Sequence, residues 1–118
     1  MQAFVELKVW QRSHALVLQI CRLSATSPVD ERFGIAGQLR RAAVSVPTNI
    51  AEGSKRRSNP ESARFLNVAE GSLVETEYLL ILARDLELGT GESIDPLLRE
   101  VGEIALMLNA LRQKVERG

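Results

Sequence analysis

The chain contains one cysteine, Cys21, so neither an intrachain disulfide nor a cysteine-based metal site can form. Aromatic residues make up only 4% of it. The core must therefore be built from Leu, Val, Ile and Ala, which suits packed helices better than sheets rich in aromatic cross-strand pairs. No Asn-Gly or Asp-Gly pair offers a tight hairpin, and no segment alternates apolar and polar residues as a half-buried strand would. Every apolar run is cut by charge well short of the roughly 18 residues that span a bilayer, so no membrane partner is expected. Met1 to Lys8 lacks a basic start followed by an apolar stretch, which argues against a secretory signal and for a cytoplasmic setting. Net charge is also missing, since 15 basic residues balance 15 acidic ones.

What remains is an ordinary folding composition in 118 residues, 45% hydrophobic and 25% charged. One domain covering residues 1–118 is expected, all-α, as an antiparallel up-down-up-down four-helix bundle. Four segments carry helical spacing. In 9–25, Val9, Ser13, Leu16, Ile20 and Leu23 form one stripe, and Ser27-Pro28 ends it. In 31–57 the stripe is Ile35, Leu39, Ala42, Val46 and Asn49. Ser58-Asn59-Pro60-Glu61 caps a third helix, 60–88, whose heptad stripe is Leu66, Ala69, Leu73, Thr76, Leu80 and Ala83, with Gly89 and Gly91 as the stop. Asp95-Pro96 opens a fourth, 95–116, along Leu97, Val101, Ile104, Leu108, Leu111 and Val115.

Pro47 lies inside the second segment, where it removes one backbone hydrogen bond and crowds the carbonyl of Ala43. The spacing predicts a kink there; the alternative is that one helix ends at Val46 and another starts near Thr48. The third segment has a second apolar stripe, Phe65, Val68, Leu79, Leu82 and Leu86. A helix apolar around more than half its circumference is usually buried on two sides, so these residues are the expected subunit interface of a homo-oligomer. The plainer reading is one wide core stripe.

Charge is unevenly spread. Residues 32–64 hold seven basic groups against Glu52 and Glu61, whereas 65–106 hold nine acidic groups against Arg84 and Arg99. Arg40 and Arg41 on the second helix, Lys55, Arg56 and Arg57 at its end, and Arg64 early in the third make a candidate nucleic-acid-binding group for RNA or DNA phosphates. Arg40 and Arg41 stand about 22 Å from the others along the helix. With no aromatic residue interleaved to stack on bases, base-specific readout is not expected. The competing reading is a solvated loop with intersubunit ion pairs to Glu70, Glu75 and Glu77.

No catalytic constellation is evident. Ser45, Asn49 and Glu52 flank Pro47, but the only histidine, His14, lies on another helix. Ser45 or Asn49 is expected to cap backbone groups freed by the proline, and Glu52 to pair with an arginine. His14 and Cys21 are two ligands at most, and inward Glu-x-x-His pairs are absent, so no metal is expected. Ala51-Glu52-Gly53-Ser54 recurs as Ala69-Glu70-Gly71-Ser72; glycines within helices cost stability, so each calls for a packing reason.

The run from Gln38 to Gly53, QLRRAAVSVPTNIAEG, resembles the signature of a bacterial four-helix bundle family first noticed as reading frames in intervening sequences of large-subunit ribosomal RNA genes. Leu7-Lys8-Val9-Trp10-Gln11, Phe33-Gly34-Ile35, Ser58 to Glu61, Phe65-Leu66, Ala69 to Leu73 and Met107-Leu108 are similar to that family's other landmarks. The resemblance implies a ring-shaped homopentamer of bundles, no enzymatic activity, no cofactor and no small-molecule substrate. It also implies kinship with accessory proteins of diversity-generating retroelements, which bind nucleic acid through a strongly basic surface. The expected function is a non-catalytic homo-oligomeric scaffold or interaction module. The alternative is a nucleic-acid-binding accessory protein using a basic surface on the assembled ring.

Overall fold

A computed structural model describes residues 3–25, 34–88 and 91–118. Among them are four α-helices and no strand: α1 Lys8–Ala25, α2 Ile35–Ser54, α3 Asn59–Asp85 and α4 Gly91–Arg117, with a short 3-10 turn, Phe4–Glu6, ahead of α1. They pack as a bundle. α2 and α3 share the broadest seam, α3 meets α4 and α1 meets α2 more narrowly, and the α1–α4 seam is the sparsest. Neither α1 and α3 nor α2 and α4 are neighbours, so the four stand around one core in chain order.

That core follows the predicted stripes. Leu16 and Ile20 of α1, Val46 and Ile50 of α2, Leu66 and Leu80 of α3, and Ile104 and Leu108 of α4 are fully buried in one cluster. At about 25 cal/mol per Å² of apolar surface removed from water, each stabilises the fold by roughly 1.5–3 kcal/mol. Thr76, predicted on the α3 stripe, is buried too and donates its hydroxyl to the Ser72 carbonyl at 2.8 Å.

The ends depart from the sequence reading. α2 is one unbroken helix through Pro47, which excludes the split at Val46. It stops at Ser54, so Lys55, Arg56 and Arg57 lie beyond it; residues 26–33, including Ser27-Pro28 and the expected start at 31, lie outside the described residues. Gly34 precedes α2 with φ of 71°, a left-handed backbone that glycine adopts without steric cost.

α3 begins as predicted, with the Ser58 hydroxyl accepting from the Glu61 N–H at 3.3 Å. It ends at Asp85, not Leu88. Glu87 turns left-handed at φ 58°, its N–H bonding the Arg84 carbonyl while Leu88 N–H reaches back to Ala83. This pair of bonds closes the helix end without a glycine. Gly91 does not terminate α3 but opens α4, which starts four residues before the expected Asp95 and carries Pro96 inside it. A proline this early in a helix forfeits a single backbone bond.

Candidate interaction surfaces

The turn from α2 to α3 gathers cations because the sequence concentrates them between Ser54 and Asn59 and just after it. Arg56 donates to the Glu52 carboxylate at 3.0 Å and to the Glu52 carbonyl at 3.1 Å, the pairing expected of Glu52. Its guanidinium lies 5.0 Å from the centre of the Phe65 ring, and that of Arg64 lies 4.9 Å from the same ring. Phe65 is thus an aromatic residue placed between two of the basic groups, contrary to the reading that none is interleaved. Cation–π attraction holds both guanidiniums over it.

Arg56 and Arg57 share a cleft of about 400 Å³ with Asn59, Ser62 and the Lys114 end of α4. Lys114 was missed from sequence, fifty residues away in the chain. Among the described residues, no carboxylate ion-pairs with Lys55, Arg57, Arg64 or Lys114. Arg40 and Arg41 belong elsewhere. The Arg40 guanidinium donates to the Ser24 hydroxyl at 3.0 Å, and both arginines line a concavity with Cys21, Val44, Ser45 and Thr48 between α1 and α2. The six predicted basic residues therefore form two separate groups.

The polar signature residues are occupied within the helix pair. The Asn49 amide donates to the Ser45 carbonyl at 2.8 Å and to its hydroxyl at 3.0 Å, and Ser45 meets the Ser72 hydroxyl at 2.8 Å. Neither reaches the Ala43 carbonyl that Pro47 leaves without a donor, so the expected capping role takes another form: a polar tie from α2 to α3. His14 stacks on Trp10 with ring centres 5.1 Å apart, and Phe4 meets Trp10 edge-on at 5.2 Å. Among the described residues no cluster of three or more His, Cys, Asp or Glu is placed to hold a metal ion, and no helix is long and apolar enough to cross a membrane.

The five residues of the predicted interface stripe differ in exposure within the chain. Leu79 is 4% exposed and belongs to the core, and Leu82 packs against it, because α3 has neighbours on two sides and both edges of its wide stripe are used internally. Phe65 lies under its two arginines, leaving only Val68 and Leu86 exposed. Larger exposed apolar side chains sit on the other flank: Val74 (66%), Tyr78 (59%) and, from α4, Leu106 (75%). Beside them Glu70, Glu77, Leu73, Val101 and Ala105 line a shallow groove between α3 and α4. Glu70 is already engaged within the chain, by Arg112 and by Asn109 at 3.2 Å. It is therefore not an open intersubunit acid. These contacts raise the Arg112 pKa, with Glu116 contributing most and Glu70 next. Arg12 bridges α1 to α4 in the same manner, donating to Glu100 at 2.9 Å and also meeting Glu103; Glu100 is the larger cause of its raised pKa.

The sequence profile that matches the chain is that of the 23S rRNA-intervening sequence proteins, over residues 5–110. A similar solved structure is a protein of unknown function from the S23 ribosomal protein family of Bacteroides thetaiotaomicron. It is 26% identical with a TM-score of 0.82, over 88% of this chain and 97% of that one. No curated protein matches at a significant level.

Proposed function

This chain belongs to the 23S rRNA-intervening sequence protein family, and we propose that it works as a non-catalytic, self-associating helical module in the cytoplasm. The observation that carries this is the exposure of Val74 and Tyr78 on α3 and of Leu106 on α4, each more than half exposed. Large apolar side chains grouped on a monomer's surface favour a protein partner, and a second copy is the simplest one. Five copies is the number the family resemblance implies.

Within this reading the helices run up, down, up and down. Contacts between Ser24 and Arg40, Ser45 and Ser72, Gly53 and Ser62, Glu70 and Arg112, and Arg84 and Asp95 support it, since numbers fall along one helix as they rise along the next. A bend in α2 at Pro47 belongs to the same reading and follows from the lost hydrogen bond and the crowded Ala43 carbonyl. Light scattering after gel filtration tests the module. A multimer is expected, and a monomer at micromolar concentration would remove the proposal.

A second reading has its own support. Arg57 of the α2–α3 turn and Lys114 of α4 line one cleft, with Lys55 in the same turn and Arg64 early in α3, a grouping of cations that suits a phosphate-rich polymer. The family's name makes RNA the first polymer to test. Repetition around a ring would multiply weak contacts.

A further inference from the structure

A cleft of about 390 Å³ lies between α1 and α2 beside the turn Phe4–Glu6, bordered by Phe4, Trp10, His14, Pro47, Thr48 and Glu52. We infer that it binds a guanidinium group, free or at the end of an arginine side chain. One copy of the chain suffices for this, whether or not copies self-associate as proposed above.

Helical spacing assembles the lining. Trp10, His14 and Val17 fall four and three residues apart on one face of α1, and Val44, Thr48 and Ala51 repeat that spacing on α2. The stack of His14 on Trp10 and the edge contact of Phe4 with Trp10 bring three aromatic rings to the cleft. His14 is exposed, so the ring face turned away from Trp10 is open to a planar group.

Charge selects the occupant. The lining holds no lysine or arginine, one carboxylate, and aromatic rings whose faces carry negative charge density. An anion therefore meets repulsion there and no counter-charge, which separates this cleft from the cation-rich turn. Glu52 Oε2 accepts from Arg56 at 3.0 Å, but Arg56 is drawn over Phe65 and lines the cleft at the turn, not this one. Among the described residues no hydrogen bond engages Glu52 Oε1. One carboxylate oxygen is thus left to accept from a second cation. Thr48 adds another acceptor, because its hydroxyl donates to the Val44 carbonyl at 2.7 Å and keeps its oxygen lone pairs.

A guanidinium suits this set better than an ammonium. It lies flat on an aromatic ring while its N–H groups reach carboxylate and hydroxyl oxygens in the ring's plane. The chain satisfies its own Arg56 in this way, between the Glu52 carboxylate and the Phe65 ring.

Trp10 is the only tryptophan, so its fluorescence reports on this cleft alone. The probes are N-acetylarginine amide, the tripeptide glycyl-arginyl-glycine and, as the uncharged isostere, N-acetylcitrulline amide, all at fixed ionic strength. Both arginine probes should give a saturable change with a millimolar dissociation constant. The citrulline compound should bind about tenfold more weakly, having lost its charge contacts. Glu52→Gln should weaken arginine binding about fivefold and His14→Ala about threefold, both at exposed positions that leave the circular dichroism unchanged. Tighter binding of the tripeptide assigns the cleft to an arginine of a polypeptide; equal binding of the two assigns it to a free compound. An equal response to the arginine and citrulline compounds, a signal that never saturates, or unchanged affinity in both variants would overturn the inference and leave self-association standing.

Discussion

Ser62 reaches across the α2–α3 turn and donates its hydroxyl to the carbonyl of Gly53 at 2.8 Å, in a fully buried hydrogen bond. A Cβ on Gly53 would stand 3.1 Å from the Ser62 carbonyl oxygen and 3.3 Å from the Phe65 Cβ, both on the facing helix. Neither neighbour is the free end of a flexible side chain. Gly53→Ala should therefore destabilise the protein by about 1–3 kcal/mol, the usual cost of overpacking a tight contact. Urea melts at fixed protein concentration measure it, and no loss would mean the turn can spread.

The second copy of the Ala-Glu-Gly-Ser tetrapeptide should respond with the opposite sign. Gly71 is exposed on α3 with nothing within 4 Å of where its Cβ would lie. Gly71→Ala should stabilise by about 0.5–1 kcal/mol, as expected for glycine replaced in a helix interior. The same melts compare the two, and equal signs would refute the contrast.

Glu87 holds a left-handed conformation that costs an ordinary L-residue roughly 1–2 kcal/mol. Glu87→Gly removes that strain and gives back part of it as unfolded-chain entropy, leaving a net gain of about 0.5–1 kcal/mol. A higher urea midpoint at unchanged slope is the expected result.

Leu79 of α3 and Leu106 of α4, both apolar, should separate cleanly. Leu79→Ala is expected to cost about 2–5 kcal/mol of folding stability, as a cavity in the core does. Leu106→Ala should leave the dissociated chain within about 0.5 kcal/mol of wild type and weaken assembly instead. Chemical denaturation measures the first and sedimentation velocity the second.

For polymer binding, Arg57→Glu with Lys114→Glu should weaken RNA or DNA association and flatten its salt dependence. Each lost phosphate contact lowers the log–log slope by about 0.7 on single strands and 0.9 on duplex DNA. Arg41→Glu, on the distant α1–α2 face, should change the slope little. Titration at several salt concentrations checks both, and no binding at low salt would exclude this role.

The stripes were legible because a buried helix face must repeat every three or four residues, and Leu16, Val46, Leu80 and Ile104 all fall where that spacing puts them. The stops were not. Glu87 closes α3 through backbone bonds that leave no compositional mark, while the visible glycine at Gly91 lies in α4. Arg56, Arg57 and Arg64 could be found because one turn brings them together. Lys114 joins them only through the path of the whole chain. The burial of Leu79 in the core has a similar origin: a wide apolar stripe says that a helix has more than one side covered, and not which neighbours cover it.

The seam between α1 and α4 is the sparsest of the four, and Arg12 clasps it through Glu100 and Glu103 with help from the Met107 sulfur at 3.4 Å. A closure that leans on exposed charge loosens with ionic strength, whereas the broad α2–α3 seam does not. Fluctuations should then begin with α1 swinging outward as a unit. Its amide protons would trade with solvent earliest, and the packed pair α2 and α3 would be the last part of the chain to open.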